Sequence, residues 1–206
     1  ESLGDALQDC RPDLAIIATP TKKHAGTFNQ LLECPSLRLI LCEKPLAATL
    51  AEAEIMLNLA KQQNMHVAVN YTRCYDLGIQ TLFRRIQSGE LGFPLKACVW
   101  YGKGIFNNGS HFLNLLLALL GEARRVDVIS RGRLWDGWDP EPDLKVEFEQ
   151  GEAYFLARCE EDFSYAQLEI IGTKGKVLYD KRGGIFWWGT EPNSAFPGYT
   201  ILQQTA

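Results

Sequence analysis

Three short apolar runs, separated by two stretches of helical character, constrain the fold of this chain most strongly. The runs are 13–20, 37–42 and 66–70. Each is the kind of short, continuous apolar segment that a parallel strand buried on both faces shows. Strands that alternate with helices through short connections form right-handed βαβ units and a parallel sheet. Residues 1–70 are therefore predicted to form half of a doubly wound domain.

The helices between these runs have local sequence signals. Residues 3–8 are typical of the end of a helix, and Thr21 is a plausible N-cap for a helix that continues to about Glu33. Thr49 and Glu52 have the spacing of a capping box and open a helix that continues to about Gln63. The alternation of strand and helix is thus complete through residue 70.

After Arg73 the pattern changes. An amphipathic helix is predicted over 75–87, a strand over 95–101, and a very apolar helix over 110–120 after a glycine-rich loop. Short strand patterns follow at 126–130, 144–149, 153–157, 165–171, 176–179 and 186–188. Residues 71–206 are therefore predicted to form a second domain, with an open, mainly antiparallel sheet covered by helices on one face. The complete fold class is α/β followed by α+β.

Charge and cysteine usage exclude several classes of protein. The net charge of −4 and the pI near 5.5 argue against a surface for nucleic acid. The six cysteines are scattered without a CxxC pair, which favours reduced thiols over a disulfide or zinc framework. The most apolar stretch, 112–120, is too short to span a bilayer, and no signal peptide is visible. These features indicate a soluble cytoplasmic protein.

Lys44 is the first candidate for chemistry, within the tripeptide Glu43-Lys44-Pro45. It follows the second predicted strand, and ligands of open α/β sheets bind outside the carboxyl ends of the strands. Pro45 restricts Lys44 to an extended conformation. Taken alone, however, the tripeptide favours a solvated ion pair on a loop.

His111 is the second candidate, in the first turn of the predicted helix 110–120. The dipole at a helix N-terminus disfavours an imidazolium and keeps the ring neutral, as a proton acceptor requires. The alternative is structural: Asn107 or Asn108 caps a core helix, and His111 satisfies a buried hydrogen bond. Both interpretations remain open on the residues alone.

Other motifs are weaker or absent. His24 follows the first strand and, taken alone, favours a structural or surface role; three dispersed histidines make a metal site improbable. The chain contains no GxGxxG, no GxSxG and no GxxxxGK(S/T) loop. Four tryptophans could line a sugar pocket, although packing is the commoner use: Trp135, Trp138, Trp187 and Trp188.

Five motifs in order give a more specific indication. They are Ala18-Thr19-Pro20 with His24, Glu43-Lys44-Pro45-Leu46, Asn70-Tyr71-Thr72-Arg73, Ser88-Gly89-Glu90-Leu91-Gly92, and Gly109-Ser110-His111 followed by Leu115 to Gly121. In this order and spacing they resemble the Gfo/Idh/MocA (glucose-fructose oxidoreductase / inositol dehydrogenase) family of NAD(P)-dependent enzymes. The resemblance covers nearly the whole chain, with a weaker likeness to members encoded with surface-polysaccharide genes.

The resemblance implies a fold, a reaction and roles for residues. Residues 1–70 would be the C-terminal half of a dinucleotide-binding domain, and 71–206 a substrate domain whose open sheet forms homo-oligomers. The reaction would be hydride transfer between a sugar, sugar-nucleotide or polyol carbon and NAD or NADP. Lys44 would polarise the reacting oxygen and His111 would move its proton. The nicotinamide side would be bordered by Thr19, Pro20, His24, Glu43, Lys44 and Arg73.

Two departures from the family pattern limit this transfer of roles. Asn107 occupies the position four residues before the histidine where the family usually has Asp, and Asn114 replaces another frequent Asp. Asn107 can hold a substrate hydroxyl but cannot accept a proton, so a non-catalytic sugar- or protein-binding relative is the alternative. The chain also lacks the first βαβ unit with its GxGxxG, as a fragment would. It is therefore predicted not to bind NAD or NADP tightly on its own.

Overall fold

The computed structural model describes residues 2–180 and 182–205. The chain divides at Tyr71/Thr72 into two compact units. We call residues 1–71 the first unit and residues 72–206 the second unit.

The first unit is a three-stranded parallel sheet with helices. Its elements are α1 (Leu3–Cys10), β1 (Leu14–Ile17), α2 (His24–Leu31), β2 (Leu39–Cys42), α3 (Leu50–Gln62) and β3 (His66–Val69). The strands lie in the order β1-β2-β3, and both neighbouring pairs are parallel. The predicted half of a doubly wound sheet is confirmed.

The core of this unit lies against its central strand. Ile40 and Cys42 of β2 are fully buried and pack with Phe28 of α2 and Met56 of α3. The outer strand β1 is half exposed, because only Ile17 of its four residues is buried. The packed core around β2 therefore fixes the positions of the strands whose ends carry the candidate residues.

The helix starts of the first unit confirm one prediction and correct two. Thr49 and Glu52 form the predicted capping box at the start of α3. Ser2 and Asp5 form a further capping box, so α1 begins at Leu3 and is not simply the end of a longer helix. Thr21 is not an N-cap: it begins a short 3-10 turn, and α2 starts at His24 without a side-chain cap.

The second unit contains two helices and two sheets. Its elements are α4 (Leu77–Gln87), β4 (Leu95–Tyr101), a π-helical turn (Ile105–Gly109), α5 (Ser110–Leu120), β5 (Ala123–Ser130), β6 (Leu134–Trp135), β7 (Asp139–Pro140), β8 (Asp143–Phe148), β9 (Gly151–Ala157), β10 (Gln167–Ile171), β11 (Gly175–Asp180), β12 (Ile185–Pro192) and β13 (Thr200–Thr205). The large sheet has the order β13-β12-β11-β10-β4-β9-β8-β5, and β6 with β7 forms a small hairpin. Among the strands of the large sheet that the structure describes, only β4 and β9 pair in parallel. The predicted mainly antiparallel sheet is confirmed, whereas β6, β7 and β13 were not predicted.

Helices α4 and α5 cover one face of the large sheet. The strand residues on that face and the apolar sides of both helices share one core, which includes Leu82 and Ile86 of α4, Phe112, Leu116 and Leu120 of α5, and Leu95, Val99, Phe155 and Ile170 of the strands. The opposite face carries ion pairs between neighbouring strands, such as Lys96–Glu152 at 2.8 Å and Lys176–Glu169 at 2.6 Å. This alternation follows the period of two along each strand.

Two findings concern the chain as a whole. Across residues 2–180 and 182–205, no helix is long and apolar enough to cross a bilayer. All six cysteines are free thiols, and Cys34 and Cys42 are buried.

Candidate active site

The carboxyl ends of the three parallel strands place polar residues at one edge of the first unit. Glu43 follows β2, and its N–H donates to the carbonyl of Ile17 at 2.8 Å. Asn70 follows β3, and its side-chain amide donates to the Glu43 carboxylate at 2.6 Å. The Glu43 side chain is thus held by a neighbouring strand end, which fixes the residue immediately before Lys44.

His24 joins two of these strand ends. Its ring is 1% exposed. Nε2 lies 2.8 Å from the carbonyl oxygen of Thr19, and Nδ1 lies 3.0 Å from that of Pro45 and 3.2 Å from that of Leu46. Carbonyl oxygens only accept hydrogen bonds, so a neutral imidazole, which has one N–H, bonds to the loop after β1 or to the loop after β2, and an imidazolium bonds to both. We call Thr19, His24, Cys42, Pro45 and Leu46 the His24 cluster.

Cys42, the last residue of β2, contacts the imidazole of His24. Its Sγ lies 3.4 Å from Nδ1 of His24. Burial, with a smaller contribution from the charge of Glu43, raises the pKa of the Cys42 thiol to about 11. The thiol therefore stays protonated at neutral pH and serves as a packed, weakly polar neighbour of the imidazole.

The first unit fits one end of a dinucleotide better than the other. At the end of β1, the Thr19 hydroxyl is buried and has no hydrogen-bond partner among the described residues, so it can pair with an amide of a ligand. A diphosphate needs a glycine-rich turn at a helix N-terminus. The two glycines of this unit, Gly4 and Gly26, lie within α1 and α2, and neither has a positive φ. Among residues 2–71, the Thr19 hydroxyl can pair with an amide such as that of a nicotinamide, and neither glycine forms a turn of the kind that binds a diphosphate.

In the second unit, residues 104–111 form the segment that carries Asn107 and His111. The π-helical turn Ile105–Gly109 continues directly into α5, and α5 has no side-chain cap. The interpretation that Asn107 or Asn108 caps a core helix is therefore wrong. A helical turn also precedes His111, and the field of a helix dipole falls off within the first turn. The dipole argument for a neutral His111 loses its basis.

Asp139, in β7, supplies the cap that sequence reasoning missed. Its carboxylate is fully buried and accepts the N–H groups of Phe106 at 3.0 Å and Asn107 at 2.9 Å. Burial raises the pKa of Asp139, and the two backbone hydrogen bonds lower it by a smaller amount. A Cβ at Gly104, which has φ +83°, would overlap this carboxylate, so only glycine permits the approach.

The β6–β7 hairpin that carries Asp139 has further contacts with the same segment. Glu141, 2% exposed, accepts the N–H of Gly104 at 3.2 Å and pairs with Arg133 at 2.7 Å. Trp138 stacks on Phe106 with the ring planes 3° apart. Of the tryptophans considered for a sugar pocket, Trp138 lies next to Asn107, whereas Trp187 is buried in the core.

Arg73 and Asn114 also lie near this segment. Nη2 of Arg73 donates to Oδ1 of Asn108 at 3.3 Å, and the guanidinium carbon lies 4.9 Å from the centre of the Phe112 ring. Asn114 accepts from the thiol of Cys74 at 2.7 Å. Within the described part of the chain, no group of three or more His, Cys, Asp and Glu side chains is arranged to hold a metal ion.

The predicted site residues therefore fall into two sets. The first unit holds Thr19, Pro20, His24, Glu43 and Lys44 at its strand ends, and the second holds Asn107, His111 and Arg73 around the start of α5. Asp139 was missed because its partners are 32 and 33 positions away in the sequence. The available signal was Gly104, at which a side chain is not tolerated.

Comparisons with known proteins show what the chain is similar to. Residues 1–71 match a family described as "Oxidoreductase family, NAD-binding Rossmann fold" (GFO_IDH_MocA). Over 197 residues the chain is 26% identical to scyllo-inositol 2-dehydrogenase (NAD(+)) of Bacillus subtilis, covering 84% of this chain and 57% of that protein. Inositol 2-dehydrogenase of Salmonella typhimurium is 33% identical over 93 residues, which is 44% of this chain and 27% of the relative. The chain thus spans between about a quarter and somewhat over half of these relatives.

Solved structures share the fold. The WlbA dehydrogenase of Bordetella pertussis, in complex with NADH and UDP-GlcNAcA, superposes with a TM-score of 0.77 at 17% identity, over 95% of this chain and 64% of that one. A putative NADPH-dependent oxidoreductase of Desulfitobacterium hafniense gives a TM-score of 0.80 at 17% identity, over 100% of this chain and 67% of that one. At these identities the likeness concerns the fold.

Proposed function

Because the chain belongs to the Gfo/Idh/MocA family of oxidoreductases, we propose that the protein transfers a hydride between NAD or NADP and a carbon of its substrate. The substrate is a sugar, a sugar nucleotide or a polyol, and the carbon bears a hydroxyl or carbonyl group. The observation that carries the proposal is the His24 cluster, which fixes the backbone on the carboxyl side of Lys44. A solvated ion pair on a loop does not require such support.

Lys44 and His111 have separate roles in this proposal. The ammonium of Lys44 donates to the reacting oxygen and stabilises negative charge on it, and His111 accepts or returns the proton. Asn107 holds a second hydroxyl, since an amide both donates and accepts. When bound, the nicotinamide ring supplies the acceptor or donor of the hydride.

The residues proposed to border the nicotinamide lie where the strands of the first unit end. Thr19 has a buried hydroxyl without a partner among the described residues; Pro20 follows Thr19 in the loop after β1, and Glu43 follows β2. His24 contributes by positioning these loops. We expect the 206-residue chain to bind NAD+ only weakly, because it provides no diphosphate cradle; calorimetry that gave micromolar affinity would contradict this expectation.

The activity test uses the full-length protein, NAD+ or NADP+, and a panel of inositols, hexoses and UDP-sugars. Replacing Lys44 by Met or His111 by Asn should each lower kcat/KM by about 10²- to 10⁴-fold, the contribution typical of positioned acid–base groups. His66, exposed at the start of β3, provides the matched control His66→Asn. Variants as active as the wild type would remove Lys44 and His111 from the mechanism.

A non-catalytic relative that binds a sugar or a protein is the second candidate, and Asn107 favours it. Asn cannot accept a proton, and its backbone is fixed by Asp139, so no other side chain can move into its place easily. Wild-type protein that binds a sugar without turning it over, and that gains activity in Asn107→Asp, would support this candidate. Turnover by the wild type would exclude it.

Assembly through the large sheet is the last part of the proposal. The open face and the edge strand β5 expose Val126, Val128 and Ile129, and β13 exposes Ile201 and Leu202. Exposed apolar strands of this kind are typical of subunit interfaces. We expect a homo-oligomer by light scattering, with dissociation on Val126→Lys combined with Val128→Lys. A monomer at high concentration would contradict it.

A further inference from the structure

Arg73 is a cation in largely uncharged surroundings. Its contacts among residues 2–180 and 182–205 are the amide oxygen of Asn108, the ring of Phe112 and the phenol of Tyr179. Burial lowers the pKa of the Arg73 guanidinium, and no carboxylate of the described residues pairs with it. A partly buried cation without a counter-charge is costly, so its position calls for an explanation.

Other arginines of the chain show what this one lacks. Five of them form ion pairs with carboxylates, although all five lie nearer the surface or at it: Arg85–Glu90, Arg124–Glu149, Arg125–Asp127, Arg133–Glu141 and Arg158–Asp162. The chain therefore supplies carboxylates where solvent already screens the charge. It supplies none to Arg73, where screening is weaker.

The surroundings of Arg73 also indicate where a ligand would lie. Asn108 follows Asn107, and Phe112 follows His111, so the guanidinium lies along the segment that carries both proposed catalytic residues. The guanidinium has five N–H donors, and among the described residues one of them forms a hydrogen bond, a long one of 3.3 Å to a neutral amide. The remaining donors have the fork geometry that matches a carboxylate or a phosphate.

We propose that Arg73 binds an anionic group of the substrate, a carboxylate or a phosphate, and that the preferred substrate is an acidic sugar derivative rather than a neutral sugar or polyol. This inference rests on the proposed function, whose substrate class it narrows. Arg73, for which the family resemblance implies a place beside the nicotinamide, is thereby assigned to the substrate. A bidentate pair with Arg73 would neutralise the cation and fix the orientation of the sugar relative to Asn107 and His111.

The first arm of the test compares matched ligands on the full-length wild-type protein. D-Glucose, D-galactose and myo-inositol are the neutral probes; the hexuronates and hexose 6-phosphates of the two sugars are the acidic ones. We expect the acidic probes to bind at least about 10-fold more tightly by calorimetry, as a charge-assisted pair with Arg implies. Comparison of uronates with phosphates identifies which anion is preferred. Equal binding of neutral and acidic probes, or no binding of the acidic ones, would overturn the inference.

The second arm uses Arg73→Met, which keeps the length and the packing on Phe112, and Arg73→Lys, which keeps only the charge. Arg73→Met should lower affinity for the preferred acidic probe by about 100-fold and change that for its neutral counterpart by less than about 5-fold. Arg73→Lys should recover part of the loss, since Lys is a point charge without the fork. The matched control is Arg84→Met on α4, where the arginine is exposed and bonds only to its own helix.

Two further readouts separate the remaining explanations. If Arg73 is a structural contact, Arg73→Met lowers the melting temperature and weakens neutral and acidic probes equally. If it binds the cofactor diphosphate, the variant raises the KM for NAD+ and leaves the discrimination between probes intact. Either result refutes the inference. Because binding is measured without turnover, a protein that discriminates acidic probes but transfers no hydride would refute only the proposed function.

Discussion

The loop that carries Lys44 and the helical segment that carries Asn107 and His111 are supported by opposite kinds of side chain. At the strand ends of the first unit, the imidazole of His24 meets backbone carbonyls. At the start of the helical segment in the second unit, the carboxylates of Asp139 and Glu141 accept backbone N–H groups. The difference follows from the backbone: a loop after a strand leaves carbonyls without donors, whereas a helix start leaves N–H groups without acceptors.

The two supports also differ in charge. The His24 cluster, as defined by its five residues, contains no carboxylate, and its imidazole faces carbonyl oxygens and the thiol of Cys42. The segment 104–111 depends on buried carboxylates whose desolvation is compensated only by the groups they bind. Loss of a partner should therefore be more damaging in the second unit than in the first.

The largest effect is expected for Asp139→Ala. It removes the acceptor of two buried N–H groups and should lower the free energy of unfolding of the second unit by about 3 to 5 kcal/mol. All five tryptophans lie within residues 72–206, so tryptophan fluorescence in urea reports this unit alone. The control is Asp127→Ala, in a pair with Arg125 at the surface, for which we expect less than about 1 kcal/mol. Equal effects of the two substitutions would show that the buried carboxylate of Asp139 stabilises the fold no more than a surface carboxylate does.

A smaller effect is expected for His24→Ala in the first unit. The substitution leaves the carbonyls of Thr19 and Pro45 without their donor and creates a cavity beside Cys42, at a cost of about 2 to 3 kcal/mol. Residues 1–71 contain no tryptophan, so hydrogen exchange of the amides in β2 and at Glu43 is the appropriate measurement. His66→Ala, at an exposed position, should change exchange little. A loss as large as that of Asp139→Ala would show that charge is not what distinguishes the two supports.

A still smaller effect is expected for the contact between Asn70 and Glu43. The two side chains share one hydrogen bond of 2.6 Å, and Glu43 is only half-buried. A double-mutant cycle with Asn70→Ala and Glu43→Ala should give a coupling of about 1.5 kcal/mol in the stability of the first unit. A coupling near zero would mean that the His24 cluster alone holds the loop that carries Lys44.

The surroundings of Lys44 were easier to predict from the sequence than those of segment 104–111, because the residues near Lys44 follow directly after predicted strands. Parallel strands bring their carboxyl ends to one edge, so the placement of Thr19, Glu43 and Lys44 follows once 13–20, 37–42 and 66–70 are recognised as strands. The specific function of His24 did not follow, since a histidine early in a helix has no pattern that distinguishes a buried donor from a surface residue.

The support of segment 104–111 could not be predicted, for a physical reason. A cap by Asp139 depends on a two-residue strand that brings the carboxylate back over more than 30 positions, and strands of that length have no periodicity to detect. Without that partner, Asn107 and Asn108 are the nearest polar residues, and one of the two interpretations left open by the sequence gives either of them the capping role. The π-helical turn that excludes them from it had no signal in the sequence either.

The smallest effect expected is the pH dependence that Asp139 contributes, because two opposing causes act on its pKa. Burial and, to a smaller extent, the charge of Glu141 raise the pKa from 3.8, backbone N–H groups including those of Phe106 and Asn107 lower it, and the net direction is upward. A carboxyl group with a higher pKa in the folded than in the unfolded chain stabilises the fold at low pH, and this contribution is lost as the pH rises through the raised value. Between about pH 3.5 and about pH 6, the free energy of unfolding of the wild type should therefore fall relative to that of Asp139→Asn. A shift in favour of the wild type over the same range would mean that the hydrogen bonds outweigh burial. The ionised form of Asp139 would then be the one that the second unit stabilises.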